Sequence, residues 1–96
     1  TEARIAELVI RKLLRVIAVL RPRVWYIENP RGRLRHFEPM KRLYRTTVFY
    51  GSYGWPVYKP TDIWTNNKAF VPRAPPTLPL PKPESHYQSG RERTNW

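Results

Sequence analysis

The sequence predicts an α/β unit ending in an extended basic tail, and three observations carry that prediction. An amphipathic pattern fills residues 2–20, an unbroken apolar run at 24–27 follows it after a proline, and six of the twelve residues from Pro72 to Pro83 are proline. Helix, turn and buried strand make half of a βαβ unit. Proline at that density favours polyproline II and excludes a helix or a central strand. The chain therefore divides into an α/β fragment over 1–68 and a Pro-rich tail over 69–96.

Each element has its own local reason. From Glu2 to Leu20, Ile5, Leu8, Val9, Leu13, Val16, Ile17 and Leu20 recur at helical spacing, with Arg4, Glu7, Arg11 and Arg15 opposite them. Thr1 is placed to cap this helix, and Pro22 stops it, because the residue before a proline is pushed out of the helical region. Val24 to Ile27, β-branched and aromatic without polar alternation, reads as a strand buried on both faces and ending at Glu28. Past Gly32, Leu34, Phe37 and Leu43 give weak helical spacing that Pro39 interrupts, which predicts an irregular or broken helix. Thr46 to Tyr50 and Ile63 to Thr65 then form an antiparallel hairpin around a loose loop punctuated by Gly51, Gly54, Pro56 and Pro60. The tail is expected to be a spacer or strap held by another surface. Pro72-x-x-Pro75 and Pro76-x-x-Pro79 have the spacing that aromatic-lined grooves bind, but any proline-dense segment produces it.

Composition narrows the function classes. Ninety-six residues suffice for one small domain that buries roughly 60–65% of its unfolded surface, so marginal stability and a protein partner are expected. The absence of cysteine removes disulfides, thiolate metal sites and a cysteine nucleophile, and His36 and His86 stand too far apart, with too few acids nearby, for a metal site. No Ser-His-Asp arrangement or phosphate-cradling glycine loop can be assembled. The longest apolar run, Val16 to Leu20, is far shorter than the ~20 residues of a membrane span, so no membrane partner is expected. A net charge of +11 predicts nucleic acid as the partner, through phosphate contacts and counterion release. The cellular compartment stays open. The one methionine is Met40, which leads to the expectation that more sequence precedes Thr1.

Several residues are candidates for contact chemistry. Glu28 and Asn29 stand at the end of an apolar strand, where an α/β sheet presents ligands with its binding crevice. The competing reading makes Glu28 a capping carboxylate and Asn29 and Pro30 turn formers. Arg31, Arg33, Arg35, Lys41, Arg42 and Arg45, with Glu38 as the single acid among them, form a candidate phosphate-binding surface, joined by Lys59. The alternative is a solvated charged face. Tyr50, Tyr53, Trp55 and Tyr58 either stack on bases or, as such aromatics do more often, fill a small core.

Three linked motifs carry a resemblance. Trp25-Tyr26-Ile27-Glu28-Asn29-Pro30-Arg31-Gly32, then Tyr50-Gly51-Ser52-Tyr53-Gly54, then Lys59-Pro60-Thr61-Asp62-Ile63-Trp64-Thr65-Asn66 resemble, in order and spacing, the later portion of phage-type and virus-type cytosine-C5 DNA methyltransferases. The resemblance covers residues 1 to about 66. It implies a partial Rossmann-like methyltransferase half in which Glu28, with Asn29 and Pro30, meets the Watson–Crick edge of a flipped cytosine, accepting from its exocyclic amine and steadying a proton on the ring nitrogen. The family's cysteine, and the glycine-rich turn that binds S-adenosylmethionine, fall before the position of Thr1. The cofactor is thus implied only together with an upstream half, and no catalytic residue is expected in this chain. Gly51 departs from the family, which carries cysteine there. The reading that follows is a fragment or component of a DNA cytosine-C5 methyltransferase that supplies base and DNA-backbone contacts without catalysing alone. The alternative is a non-enzymatic basic structural protein of a large nucleoprotein or viral assembly derived from such a fold. In both, a partner or the missing half covers an exposed sheet edge.

Overall fold

The computed structural model describes residues 1–83, and the parts of the tail at 84–96, including His86, lie outside the described residues. Helix α1 spans Glu2–Leu20. Thr1 caps it as the sequence predicts: its hydroxyl oxygen accepts the Arg4 amide at 3.1 Å. At the other end Arg21 adopts a left-handed conformation (φ 51°) and donates its amide to Ile17 O at 2.8 Å, after which Pro22 cannot extend the helix.

Three strands follow, β1 Tyr26–Pro30, β2 Arg45–Phe49 and β3 Pro60–Thr65, in the order β1-β3-β2. Both pairings are antiparallel. The β2–β3 hairpin forms as expected in pairing, but β3 begins at Pro60 rather than Ile63, so Pro60 lies opposite Phe49 instead of in the loop, Tyr50 leaves the strand, and Arg45 lies opposite Trp64. Its loop holds a 3₁₀ turn at Tyr50–Tyr53 closed by Gly54 at φ 101°, a backbone region that costs glycine little. The irregular link also appears: two 3₁₀ turns, Arg33–His36 and Met40–Arg42, lie on either side of Pro39.

The first strand corrects the expectation. Instead of a strand over 24–27 covered on both faces and ending at Glu28, β1 starts at Tyr26 and carries Glu28 at its centre, paired with Ile63. Its residues alternate, with Tyr26 and Glu28 exposed and Ile27 buried, as in an antiparallel sheet wet on one side. Val24 and Trp25 belong to the turn before it. There Asn66 clasps the chain: its side-chain oxygen accepts the Trp25 amide at 3.1 Å, and its amide nitrogen donates to Arg23 O at 3.0 Å. β1 is also an edge strand, which is where a terminal proline such as Pro30 is tolerated.

The core lies on one face of the sheet. Ile27 and Trp64 meet Ile10 of α1 and Leu34 and Met40 of the two 3₁₀ turns, with Leu14, Ile17, Trp25, Phe37 and Leu43 packed around them. Trp64 is fully buried and donates its indole N–H to Met40 O at 3.1 Å. The packed stripe of α1 is Ala6, Ile10, Leu14 and Ile17. Of the expected apolar face only Ile17 turns inward; Ile5, Leu8, Val9, Leu13, Val16 and Leu20 stay 40–71% exposed. The helix is apolar around more of its circumference than a three-stranded sheet can cover. Among the described residues no helix is long and apolar enough to cross a membrane.

Candidate nucleic-acid interface

The alternation of β3 assigns opposite tasks to the two faces of the sheet. Asp62 and Trp64 point to the core side, while Ile63 points to the other side together with its cross-strand neighbours Glu28 and Thr46. That second face carries the candidate site. Ile63 and Val48 form the floor of an open cavity of about 410 Å³, and Tyr50, Tyr53, Trp55 and Phe70 line the rest of it. Tyr53 and Trp55 remain about half exposed, at 47% and 51%. The aromatics therefore do not fill the core, contrary to the reading favoured for them from sequence. The core is completed without them by Trp64, Met40 and the aliphatic face of α1.

Cations sit against these rings. Lys59 Nζ lies 4.9 Å from the Tyr50 ring centre and 5.4 Å from that of Trp55, and the Arg73 guanidinium lies 5.0 Å from that of Tyr53. Tyr50 and Trp55 pack on each other at 5.3 Å with their planes 41° apart. Phe70 is fixed edge-on to Tyr26 at 5.8 Å, so the wall of the cavity is continuous with β1.

Glu28 stands beside this floor, exposed, one strand away from Ile63. Glu7 is held by Arg11, Glu38 by Lys41 and Arg42, and Asp62 by Arg35 and Arg45. Glu28 has no hydrogen-bond or ion-pair partner among the described residues. Asn29 instead turns its amide to Pro30 O at 3.1 Å, a local bond of the kind that shapes a strand end.

The expected basic cluster is divided by the fold. Arg35 grips the fully buried Asp62 with two bonds, Nε to Oδ2 at 2.9 Å and Nη2 to Oδ1 at 2.7 Å, and Thr47 donates its hydroxyl to Oδ1 at 3.0 Å. Arg45 reaches the same carboxylate at 4.0 Å. The hydrogen bond to Asp62 raises the Arg35 guanidinium above its ordinary value against the opposing effect of burial. Arg35 is thus an internal ligand of Asp62 on the core side. Lys41 and Arg42 bind Glu38 at 3.2 and 2.9 Å, and the Lys41 hydrogen bond leads in holding that carboxyl below its usual range. Arg31 donates to the Tyr58 hydroxyl at 2.9 Å, and Arg33 is exposed. Of the predicted cations, Lys59 is the one in contact with the rings of the cavity.

Phe70 of the tail supplies one wall, and the described part of the tail packs back on this chain. Tyr53 accepts the Arg73 amide at 2.9 Å, Arg73 Nη1 donates to Ser52 O at 3.1 Å, the Ser52 hydroxyl donates to Ala74 O, and Tyr58 donates its amide to Pro81 O at 2.7 Å. The strap crosses so close to Gly51 that a Cβ there would overlap Leu80 Cδ1 and stand 2.9 Å from Pro76 Cγ. Gly51 therefore stands where the strap crosses, with no room for a side chain. Sequence reasoning missed Phe70 and Arg73, for which no local pattern exists. It also missed Asp62, which stands two residues before the core residue Trp64 and so shares its face of the strand, a placement that makes a carboxylate need a cation.

Among the described residues no group of three or more His, Asp or Glu side chains converges as a metal site would require. Comparison with known proteins adds no relative: no family model, no curated protein and no solved structure matches the chain. The protein is a mixed α/β unit of one helix and a three-stranded antiparallel sheet, with one sheet face packed and the other lined by aromatic rings and cations.

Proposed function

We propose that this chain is a base- and backbone-contacting component of a DNA cytosine-C5 methyltransferase, a partial Rossmann-like half that is not catalytic alone. The observation that carries the reading is the position of Glu28, a carboxylate without an ion-pair partner among the described residues, in the middle of a strand and exposed beside a cavity of aromatic rings and cations. The motif resemblance supports it. A carboxylate there accepts from the exocyclic amine of an unpaired cytosine and holds a proton at its ring nitrogen, while Arg31, Arg33 and Lys59 are available for phosphate. Arg35 is left out of that role because Asp62 engages it.

The reaction also needs a thiolate and a methyl donor. The chain has no cysteine, and the glycines among the described residues, Gly32, Gly51 and Gly54, do not form a strand-to-helix turn of the kind that holds S-adenosylmethionine. The residues present do not fit that cofactor, and a second polypeptide segment would have to supply both. A second reading, a structural protein of a nucleoprotein or viral assembly, is favoured by the apolar side of α1 and the outer edge of β1, which no described residue covers or pairs with and which suit burial in a larger body.

Glu28→Gln separates the two. In single-stranded oligonucleotides that differ at one position, the wild type is expected to favour cytosine over thymine by about 5- to 150-fold, the range of one good two-point base contact. Glu28→Gln is expected to remove that preference and leave the salt dependence unchanged, measured by fluorescence anisotropy. A preference that survives the substitution, or is absent from the wild type, contradicts the methyltransferase reading and leaves the assembly reading in its place.

A further inference from the structure

We infer that the open cavity on the sheet face opposite the core is a stacking site for one unpaired nucleobase of any identity, separate from the contact made by Glu28. The inference rests on the nucleic-acid reading of this face and adds to it a second base position. Four rings, Tyr50, Tyr53, Trp55 and Phe70, surround an aliphatic floor of Val48 and Ile63, and the volume of about 410 Å³ is within the range of small-ligand sites. The lining is apolar and aromatic, which gives a flat ring a surface to stack on and few hydrogen-bond partners by which to tell one base from another.

The charges choose the occupant. Lys59 approaches the cavity against Tyr50 and Trp55, and Arg73 approaches it against Tyr53, so cations flank the rings from two segments of chain that are distant in sequence. A neutral apolar peptide has no use for them. A nucleotide does, because its base is an apolar face and its flanking phosphates are anions, and the chain as a whole carries +11. Ile63 forms the floor and is the register partner of Glu28, so a base in the cavity lies one strand away from a base at Glu28. The two positions suit neighbouring nucleotides of one single strand.

The tail borders the site at two residues. Tyr53 holds the Arg73 amide, and Phe70, which opens the tail, is both a wall of the cavity and the edge partner of Tyr26. Tyr53 therefore has two tasks, stacking and anchoring, which a conservative substitution separates.

The test uses the 96-residue chain with two probes, a ten-nucleotide oligothymidylate and an abasic deoxyribose-phosphate chain of the same length. Neither contains cytosine, so the preference attributed to Glu28 does not enter. The wild type is expected to bind the thymidylate more tightly. Trp55→Ala and Tyr53→Ala are each expected to weaken that binding by about 5- to 150-fold, the range of one stacked base, without changing the abasic affinity or the salt slope. Tyr53→Phe keeps the ring and is expected to bind as the wild type does. Trp55 lies outside the core, and circular dichroism verifies that its variant is folded. Equal wild-type binding of both probes, or a Trp55→Ala variant that binds thymidylate as the wild type does, overturns the stacking site while the cytosine preference at Glu28 stands or falls by its own assay. Binding of neither probe overturns the stacking site and the nucleic-acid reading together.

Discussion

Arg35→Ala is expected to destabilise the protein by about 3–5 kcal/mol, the loss that follows when one partner of a buried ion pair is removed. The reason is the position of Asp62. Its carboxylate is inaccessible to water on the central strand and cannot turn outward to be solvated. Without Arg35 it keeps only the Thr47 hydroxyl at 3.0 Å and a distant Arg45 at 4.0 Å. The reverse substitution is milder. Asp62→Ala leaves the Arg35 side chain, which is 23% exposed, free to reach water, at a cost of about 1–3 kcal/mol for the bonds lost. A domain of this length has roughly 5–14 kcal/mol of total stability, so Arg35→Ala alone should shift the denaturant midpoint strongly. Urea unfolding followed by tryptophan fluorescence measures both variants. If Arg35→Ala leaves the midpoint in place and instead reduces the salt slope of DNA binding, Arg35 is a phosphate ligand and its assignment to Asp62 is wrong.

Trp64→Ala is expected to cost about 3–5 kcal/mol through the cavity it leaves and the contacts it removes. The indole is fully buried on the central strand, in one core cluster with Met40, Ile27 and Ile10. It also satisfies the Met40 carbonyl at 3.1 Å, a bond inside the core with no water to replace it. Trp64→Phe fills most of the space and loses that bond, so a smaller cost of about 1–3 kcal/mol is expected. Thermal unfolding of the two variants orders them. Equal costs would mean that the hydrogen bond, rather than the packing volume, dominates at this position.

Much of the architecture could be read from local chemistry. Thr1, Pro22 and Pro39 are punctuation that acts within a few residues, and the helix ends and the broken link fall where they indicate. The first strand was misread because Val24 to Ile27 is a uniform apolar run, and a run without alternation does not reveal which of its residues belong to a turn. Asn66, more than forty residues away, decides that by clasping Arg23 and Trp25. The face of α1 was misread for a related reason: an apolar arc this broad has no single direction, and the stripe that packs is chosen by the sheet opposite it.

The candidate site was visible only in pieces. Glu28 and the aromatic residues of the hairpin loop could be singled out by type, but the neighbourhood of Glu28 and Ile63 depends on strand order, which no local pattern encodes. The same holds for the cations. Six charges within fifteen residues look alike in sequence. The fold separates Arg35, buried against Asp62, from Arg31 at the Tyr58 hydroxyl, and it brings in Arg73 from the tail.

In the proposed function, nucleic acid meets the sheet face that carries Glu28 and the aromatic cavity. The most direct measurement is an amide chemical-shift map of the isotope-labelled chain titrated with a single-stranded, cytosine-containing oligonucleotide. Perturbations are expected to concentrate at Tyr26 to Asn29, Tyr50 to Trp55, Lys59, Ile63 and Phe70, with α1 little changed. Perturbations centred on the exposed stripe from Ile5 to Leu20, or spread without focus over all surface cations, would contradict it.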